Sequence, residues 1–387
     1  MDTVYTESEK CSGCGYCLYI CKKKAISMRE DSDGYIYPVI DQALCIDCGV
    51  CRKTCPQLKP ELVTPVETYS AYRKSEKKRE ASSSGGAFAA VAEKFLREHA
   101  YVCGAAFDEN FNLKQRIITS SEELKPLLGS KYVQSSLSEV FPVIKERCKT
   151  DKVLFCGTPC QVNAIKQFVS NSNNLYTIDI ICHGVPPLKM FQSFLTALYP
   201  NAESYNFRDK RQGWSFDALA IDKNGKKHQI KHRNSSWMST YFGGTFYRES
   251  CFSCPFANEQ RCGDLTIGDF WGIIRQHPEL KHKLNIDKGV SCILVNNEKG
   301  KEMLQGTDLV LYDTAYAAIR DGNGPLNHPS KVRPERREKY FTQWRIKHDW
   351  ADVDAYWKKN ERKIPMVLWA YLPKGLKNAL RIVFHYR

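Results

Sequence analysis

No stretch of this 387-residue chain holds the roughly 18 consecutive apolar residues that a membrane-crossing helix needs, so no segment is predicted to span a bilayer. Nothing reads as a secretion signal, and no tract is biased enough in composition to be predicted disordered. Acid is in short supply: 43 Asp and Glu against 57 Lys and Arg leave a formal charge of +14. That surplus suits an acidic partner protein, an anionic lipid or a phosphate-bearing cofactor. Nucleic acid is the weakest of the possible partners, because the basic residues are scattered and no recognised binding motif accompanies them. What the chain has in plenty is cysteine, 17 residues. Without an export signal the predicted location is cytoplasmic, where thiols serve metal or redox chemistry and not disulfide staples.

Eight of those cysteines fall in two quartets of one spacing. Cys11, Cys14, Cys17 and Cys21 form the first; Cys45, Cys48, Cys51 and Cys55 form the second, followed by Pro56. Both follow the C-x2-C-x2-C-x3-C run, in which three close thiolates grip one [4Fe-4S] cube and the fourth reaches the other. The expected ligand sets are therefore Cys11, Cys14, Cys17 and Cys55 for one cluster, and Cys45, Cys48, Cys51 and Cys21 for the second. Gly13, Gly15 and Gly49 suit the tight turns that aim backbone N–H groups at sulfur. Zinc also binds CxxC pairs, but four cysteines compressed into so short a run, twice, are too dense for tetrahedral zinc loops. The segment 1–58 closely resembles the two-cluster bacterial ferredoxin domain, with Lys22 standing where the second quartet has proline.

Beyond it, 59–67 reads as a polar, proline-punctuated linker. Strand character follows at 68–73, a charged solvated loop at 74–80, and a turn from Ser82 to Gly86 leading into an apolar-periodic helix over about 87–99. Serines at a helix start cap free N–H groups and glycine permits close approach of an anionic ligand, although an ordinary cap has the same look. Strands are expected at 101–107 and 113–118, then a polar loop at 128–135 and a helix ending near 149. A buried strand at 151–156 runs into a motif from Cys156 to Gln161 and a helix to 169. The next strand, 175–181, runs into Cys182 and His183. Strand, glycine turn and helix is how α/β folds present phosphates or flavin rings at the carboxyl edge of a sheet. A helix at 188–198 precedes a hairpin around Asn224 and Gly225, an aromatic helical stretch at 237–247, the CxxC of Cys251 and Cys254, a turn at 268–272 flanked by Asp264 and Asp269, and a last strand at 290–296.

Six motifs occur in order: Ser83 to Gly86, Gly129 to Gln134, Gly157 to Gln161, Cys182 to Pro186, Cys251 with Cys254, and Gly268 to Gly272. As a set they resemble the coenzyme F420 hydrogenase/dehydrogenase beta-subunit family over about 68–334. The expected fold is α+β: the ferredoxin domain, then a larger mixed α/β flavin and iron-sulfur domain, then a basic helical tail at 335–387. The resemblance implies FAD and exchange of a hydride with a deazaflavin or similar carrier. Matching positions for the cofactor are Ser84, Gly85, Gly86, Ser130, Lys131, Tyr132, Gln134, Gly157, Thr158 and Gln161. It also implies a third [4Fe-4S] cluster on Cys160, Cys182, Cys251 and Cys254. Cys156 and Cys262 lie beside those positions without belonging to the pattern, and Cys103, Cys148 and Cys292 read as buried packing residues. Lys131 is the candidate charge near phosphate or reduced flavin, and His183 the candidate proton donor. Phe270 and Trp271 read as core packing or as a wall between the cofactors and water.

The tail is strongly basic, with an aromatic run at 366–372 and an amphipathic stretch at 376–384. It can lie on an anionic membrane surface as a peripheral contact, but packing on its own domain is the expected use. The leading reading is an iron-sulfur flavoprotein oxidoreductase that works with a redox partner protein or a small-molecule hydride carrier. The competitors are a non-catalytic electron-transfer adaptor feeding a partner reductase, and a zinc-bearing nucleic-acid module.

Overall fold

The computed structural model describes residue 4 and residues 8–137, 139–170, 172–362, 371–373 and 375–376. It opens with the cysteine-rich segment, whose two short helices, Tyr16–Ile20 and Val50–Lys53, each start from a left-handed glycine, Gly15 and Gly49. Between them β1 (Ile26–Glu30) and β2 (Ile36–Ile40) pair as an antiparallel hairpin. This is the ferredoxin-like part.

The larger part is built on β3 (Glu67–Arg73), β4 (Tyr101–Phe107), β5 (Leu113–Ile118), β6 (Val153–Gly157), β7 (Leu175–Ile180), β8 (Ala202–Asn206), β9 (Ala218–Asp222), β10 (Lys227–Ile230), β11 (Leu265–Asp269), β12 (Ser291–Val295) and β13 (Leu309–Asp313). Eight of them form one mixed sheet in the order β13-β3-β12-β11-β7-β6-β4-β5. Its centre, β11-β7-β6-β4, is parallel, and both flanks are antiparallel. The central strands are buried on both faces, which is why they read as nearly continuous apolar runs. Helix Ala87–Arg97 covers one face, and helices Val140–Arg147 and Pro159–Val169 cover the other. Strands β8, β9 and β10 make a separate antiparallel sheet.

Several expectations need correction. The charged segment 74–80 is not a loop: it closes into helix Glu76–Glu80, capped by Ser75, because Arg79 turns inward, is buried and donates to the Asn285 carbonyl (2.8 Å). The stretch read as a turn at 268–272 is half strand. Gly268 sits within β11, where a Cβ would meet Ile181 at 2.6 Å, so the glycine serves strand packing and only the last residues turn. A strand, β13, follows the supposedly last one, and the hairpin β1-β2 adds a strand at 26–30 to the expected one.

The basic tail packs on its own chain as far as it is described. Helices Arg337–Lys347 and Trp350–Asn360 bury Tyr340, Phe341, Trp344, Trp350 and Trp357 in an aromatic core with Phe191, Phe194 and Trp237. Lys339, Arg345, Lys347, Lys358 and Lys359 are exposed on the outer faces, whereas Arg337 is buried. The aromatic run at 366–372 and the amphipathic stretch at 376–384 lie largely outside the described residues. Among the described residues no helix is long and apolar enough to cross a membrane.

Candidate functional site

In the ferredoxin-like part Cys11, Cys14, Cys17 and Cys55 line one small cavity together with Gly13, Gly15 and Pro38. Burial raises the Cys14 thiol to about 12, and charge on Cys55, Cys11 and Cys160 adds to the rise. Cys51 is raised by burial and by charge on Cys21 and Cys48. Cys55 thus lines one cavity with the first three cysteines of the other run, and Cys21 lies within the field of Cys51. A buried thiol held far above neutrality is unfavourable as an anion until a cation arrives, and a metal inverts that logic.

The second set of thiols is assembled by the large sheet. Because β6 and β7 are adjacent and parallel, whatever follows each strand is delivered to the same edge. Cys160 follows β6 in the first turn of helix Pro159–Val169, and Cys182 follows β7. Cys251 and Cys254 come from the loop before β11. All four line one cavity of about 50 Å3. Burial raises each of them, and charge on Cys251, Cys160 and Cys254 raises Cys182 further. Gly184 is essential to the bend: at φ 135° its missing Cβ would meet the Tyr247 ring at 2.4 Å. Four thiols lining one cavity are the donor set that a [4Fe-4S] cube takes.

Cys262 is buried beneath this site, where its Sγ donates to the Pro159 carbonyl (3.2 Å) and faces Asp179. Cys156 lines the larger cavity described next.

That cavity, about 260 Å3, lies at the same sheet edge. Ser84, Gly86, Ser130, Lys131, Tyr132, Gly157, Thr158 and Gln161 line it, as do His183, Asp269 and Trp271. Two expected residues are elsewhere. Gly85 is packed against the sheet, its N–H donating to Ser291 Oγ at 3.0 Å, where a Cβ would lie 2.2 Å from the Ala71 carbonyl oxygen. Gln134 lines the thiol cavity and not the larger one. Gln161 lines both, but its amide is spent locally: Oε1 accepts from the Thr158 N–H (3.2 Å) and Nε2 donates to the Ser135 carbonyl and hydroxyl (3.0 and 2.9 Å).

Lys131 donates to the Pro126 and Leu128 carbonyls, both at 2.9 Å, and burial pulls its ammonium down to about 7, against a smaller opposing effect of Cys156. Burial likewise lowers His183, which lines both cavities. The segment from Cys182 to Val185 is therefore the partition between them.

Sequence reading missed three basic residues here. Arg208, buried, pairs with Asp269 (2.8 Å), donates to the Tyr132 hydroxyl (3.1 Å) and lies 5.3 Å from the Trp271 ring centre. Trp271 in turn stacks on Trp214 with ring centres 4.5 Å apart. Lys210 holds the serine turn from below, donating to the carbonyls of Ser84 (2.8 Å), Arg79 and Lys288 (both 2.6 Å); burial pulls it down to about 7. Arg248 borders the thiol cavity. None of the three stands in a repeated spacing, so periodicity gave no cue.

An iron-sulfur electron-transfer protein is the class that these thiol sets and this sheet edge define. The model of the 4Fe-4S dicluster domain matches residues 10–58. Those of the coenzyme F420 hydrogenase/dehydrogenase beta subunit match residues 68–142 (N-term) and 150–310 (C terminus). The chain belongs to that family and carries an N-terminal 4Fe-4S dicluster domain. It is 25% identical over 335 residues to an uncharacterized protein of Methanocaldococcus jannaschii, covering 76% of this chain and 86% of that one. An uncharacterized ferredoxin of the same organism is 34% identical over 53 residues, 14% of this chain and 68% of its own length. A solved chain from the F420-reducing [NiFe] hydrogenase complex of Methanosarcina barkeri aligns at 14% identity with a TM-score of 0.45, over 74% of this chain and 94% of that chain.

Proposed function

We propose that the protein is an iron-sulfur flavoprotein oxidoreductase. It would exchange electrons between a hydride carrier or small redox substrate and one-electron acceptors, with FAD in the larger cavity and three [4Fe-4S] clusters. The observation that carries this reading is the shared wall: Cys182 to Val185 borders both the larger cavity and the four-thiol cavity. Cys160 in turn lies close enough to Cys11 and Cys14 to raise both. The sites thus form a chain from the sheet edge to the ferredoxin-like part.

A flavin bound there would supply the conversion of a two-electron equivalent into single electrons. Ser84, Ser130 and Thr158 offer hydroxyls to it, Lys131 a charge, and Tyr132 and Trp271 flat apolar walls. His183, at the partition, is within reach of a proton on either side. The cube ligands are assigned as Cys11, Cys14, Cys17 and Cys55; Cys45, Cys48, Cys51 and Cys21; and Cys160, Cys182, Cys251 and Cys254. Cys48 is exposed, flanked by the exposed Leu44, Ile46 and Val50 and by Lys53. An exposed apolar rim, with Asp47 on one side and Lys53 on the other, suits an electron-carrier protein docking at the second cluster. A reducing cytoplasm is the compartment that suits this many free thiols.

A second reading is the adaptor without a substrate pocket of its own. The larger cavity favours it in one respect, since 260 Å3 falls below the roughly 300–1,000 Å3 of typical ligand sites. Anaerobic quantification on one preparation separates the two. The oxidoreductase gives roughly 12 iron, 12 sulfide and one FAD per chain; iron without stoichiometric flavin gives the adaptor.

A further inference from the structure

Arg248 is 1% exposed and stands between the two thiol cavities. Its Nε and Nη2 donate to Gln134 Oε1 at 3.0 and 2.8 Å, Nη1 to the Cys11 carbonyl at 3.4 Å, and Nη2 to the Ile36 carbonyl at 3.0 Å. The guanidinium lies over the rings of Tyr37 and Tyr35, at 4.5 and 5.4 Å from their centres. Every one of these partners is neutral. The adjacent Glu249 is engaged by Arg337 (2.8 Å) and Arg333 (3.2 Å). Asp31 is within the field of Arg248 but spends Oδ1 on the N–H groups of Asp33 and Tyr35.

A buried cation answered only by dipoles and aromatic faces is costly unless a negative charge completes the site. Thiols surround it on both sides. Arg248 borders the cavity of Cys160, Cys182, Cys251 and Cys254. On the other side it packs so closely against the Cys11 loop that a Cβ at Gly13 would lie 2.8 Å from Nη2. Gln134 completes the arrangement by donating Nε2 to the Ser12 carbonyl at 2.9 Å. An amide at 134 steers the guanidinium without cancelling its charge.

We propose that Arg248 is the common counter-cation of the cluster on Cys11, Cys14, Cys17 and Cys55 and the cluster on Cys160, Cys182, Cys251 and Cys254. It is a positioning residue that joins the two sites and favours reduction of both. The inference rests on the cluster assignment proposed above. Each electron added to a cube makes it more negative, and a fixed cation in a water-poor setting stabilises that state, raising the potential. Gln134, expected at the flavin, belongs to this junction instead.

The test is an anaerobic redox titration followed by electron paramagnetic resonance. Signals are assigned by their loss in Cys14→Ser, Cys48→Ser and Cys254→Ser. Arg248→Met should shift the two adjacent clusters to more negative potential by a tenfold change or more in the reduction equilibrium, about 59 mV for one electron, and leave the cluster of Cys48 in place. Arg248→Lys, which keeps the charge, should restore most of the shift. If Arg248→Met loses iron, Gln134→Glu serves: it leaves the arginine in place and answers its charge, and should move the same two signals in the same direction. Full iron content with unmoved potentials in these variants overturns the proposal. Wild-type protein with about eight iron per chain overturns instead the three-cluster reading beneath it.

Discussion

Arg261 Nη2 lies 2.6 Å from Asp179 Oδ1, with side-chain exposures of 2% and 0%. The pair fastens the segment just after Cys254 to the end of β7, two residues before the chain leaves toward Cys182. Asp179 also accepts from the Gly263 N–H at 2.7 Å, and Arg261 donates to the Phe256 carbonyl at 2.9 Å. The two sources of the thiol cavity are thus held in register by one buried ion pair.

Removing one partner leaves the other charged and buried. Asp179→Asn or Arg261→Met should therefore cost about 3–5 kcal/mol in denaturant unfolding, and should release iron from the Cys160 site before the ferredoxin-like part is affected. Equal stability of variant and wild type would contradict the role given to the pair.

Cysteine-to-serine exchange should sort the thiols into two groups. Cys182→Ser or Cys254→Ser should lower bound iron by about four per chain, whereas Cys148→Ser and Cys292→Ser should leave it unchanged. Cys262→Ser, buried but outside the four, belongs with the unchanged group. Iron analysis on anaerobically purified variants reads the outcome.

Lys131 gives a pH dependence whose sign can be worked out. Its amine, pulled down to about 7 by burial, is a cation below that value and neutral above it. An anionic group of the cofactor should bind more weakly as pH rises, by about tenfold in cationic fraction one unit above the pKa. Flavin retention measured from about pH 6 to about pH 8 should fall in the wild type and stay flat in Lys131→Gln. The shift has a second effect: between about 7 and the ordinary 10.5 the unfolded chain binds the extra proton, so this residue makes stability rise with pH there.

The C-terminal helices should prove structural. Trp350→Ala, at a residue packed on Phe194, Trp237 and Phe246, should cost about 3–5 kcal/mol. Thermal unfolding monitored by circular dichroism checks it.

Much of this was legible in the sequence because it is local. The cysteine runs carry their spacing in a few residues, and the strands at 101–107 and 175–181 announce themselves by apolar content. Helix Leu188–Leu198 begins and ends at the expected residues. The misses are tertiary. β11 has glycine and aspartate at its edge and becomes a strand only because β7 and β12 flank it. Arg79 makes a helix of a charged segment by reaching a carbonyl far along the chain. Arg208, Lys210 and Arg248 look like surface residues until the fold surrounds them. Gln134 sits in a motif whose neighbours line the larger cavity, and its displacement to the thiol junction depends on Arg248, which no pattern at 129–134 contains.

Residues 337–348 also touch the hairpin of the ferredoxin-like part. Arg345 pairs with Asp33 at 2.7 Å, the His348 ring nitrogen meets the Ser32 carbonyl at 2.7 Å, and the Tyr35 hydroxyl, itself donating to the Phe246 carbonyl at 3.0 Å, lies 3.4 Å from Arg337 Nη2. During synthesis the ribosome releases the two cysteine runs long before it releases their last clasp. Iron delivery to these thiols therefore has an open interval that ends only once residues 337–348 have emerged.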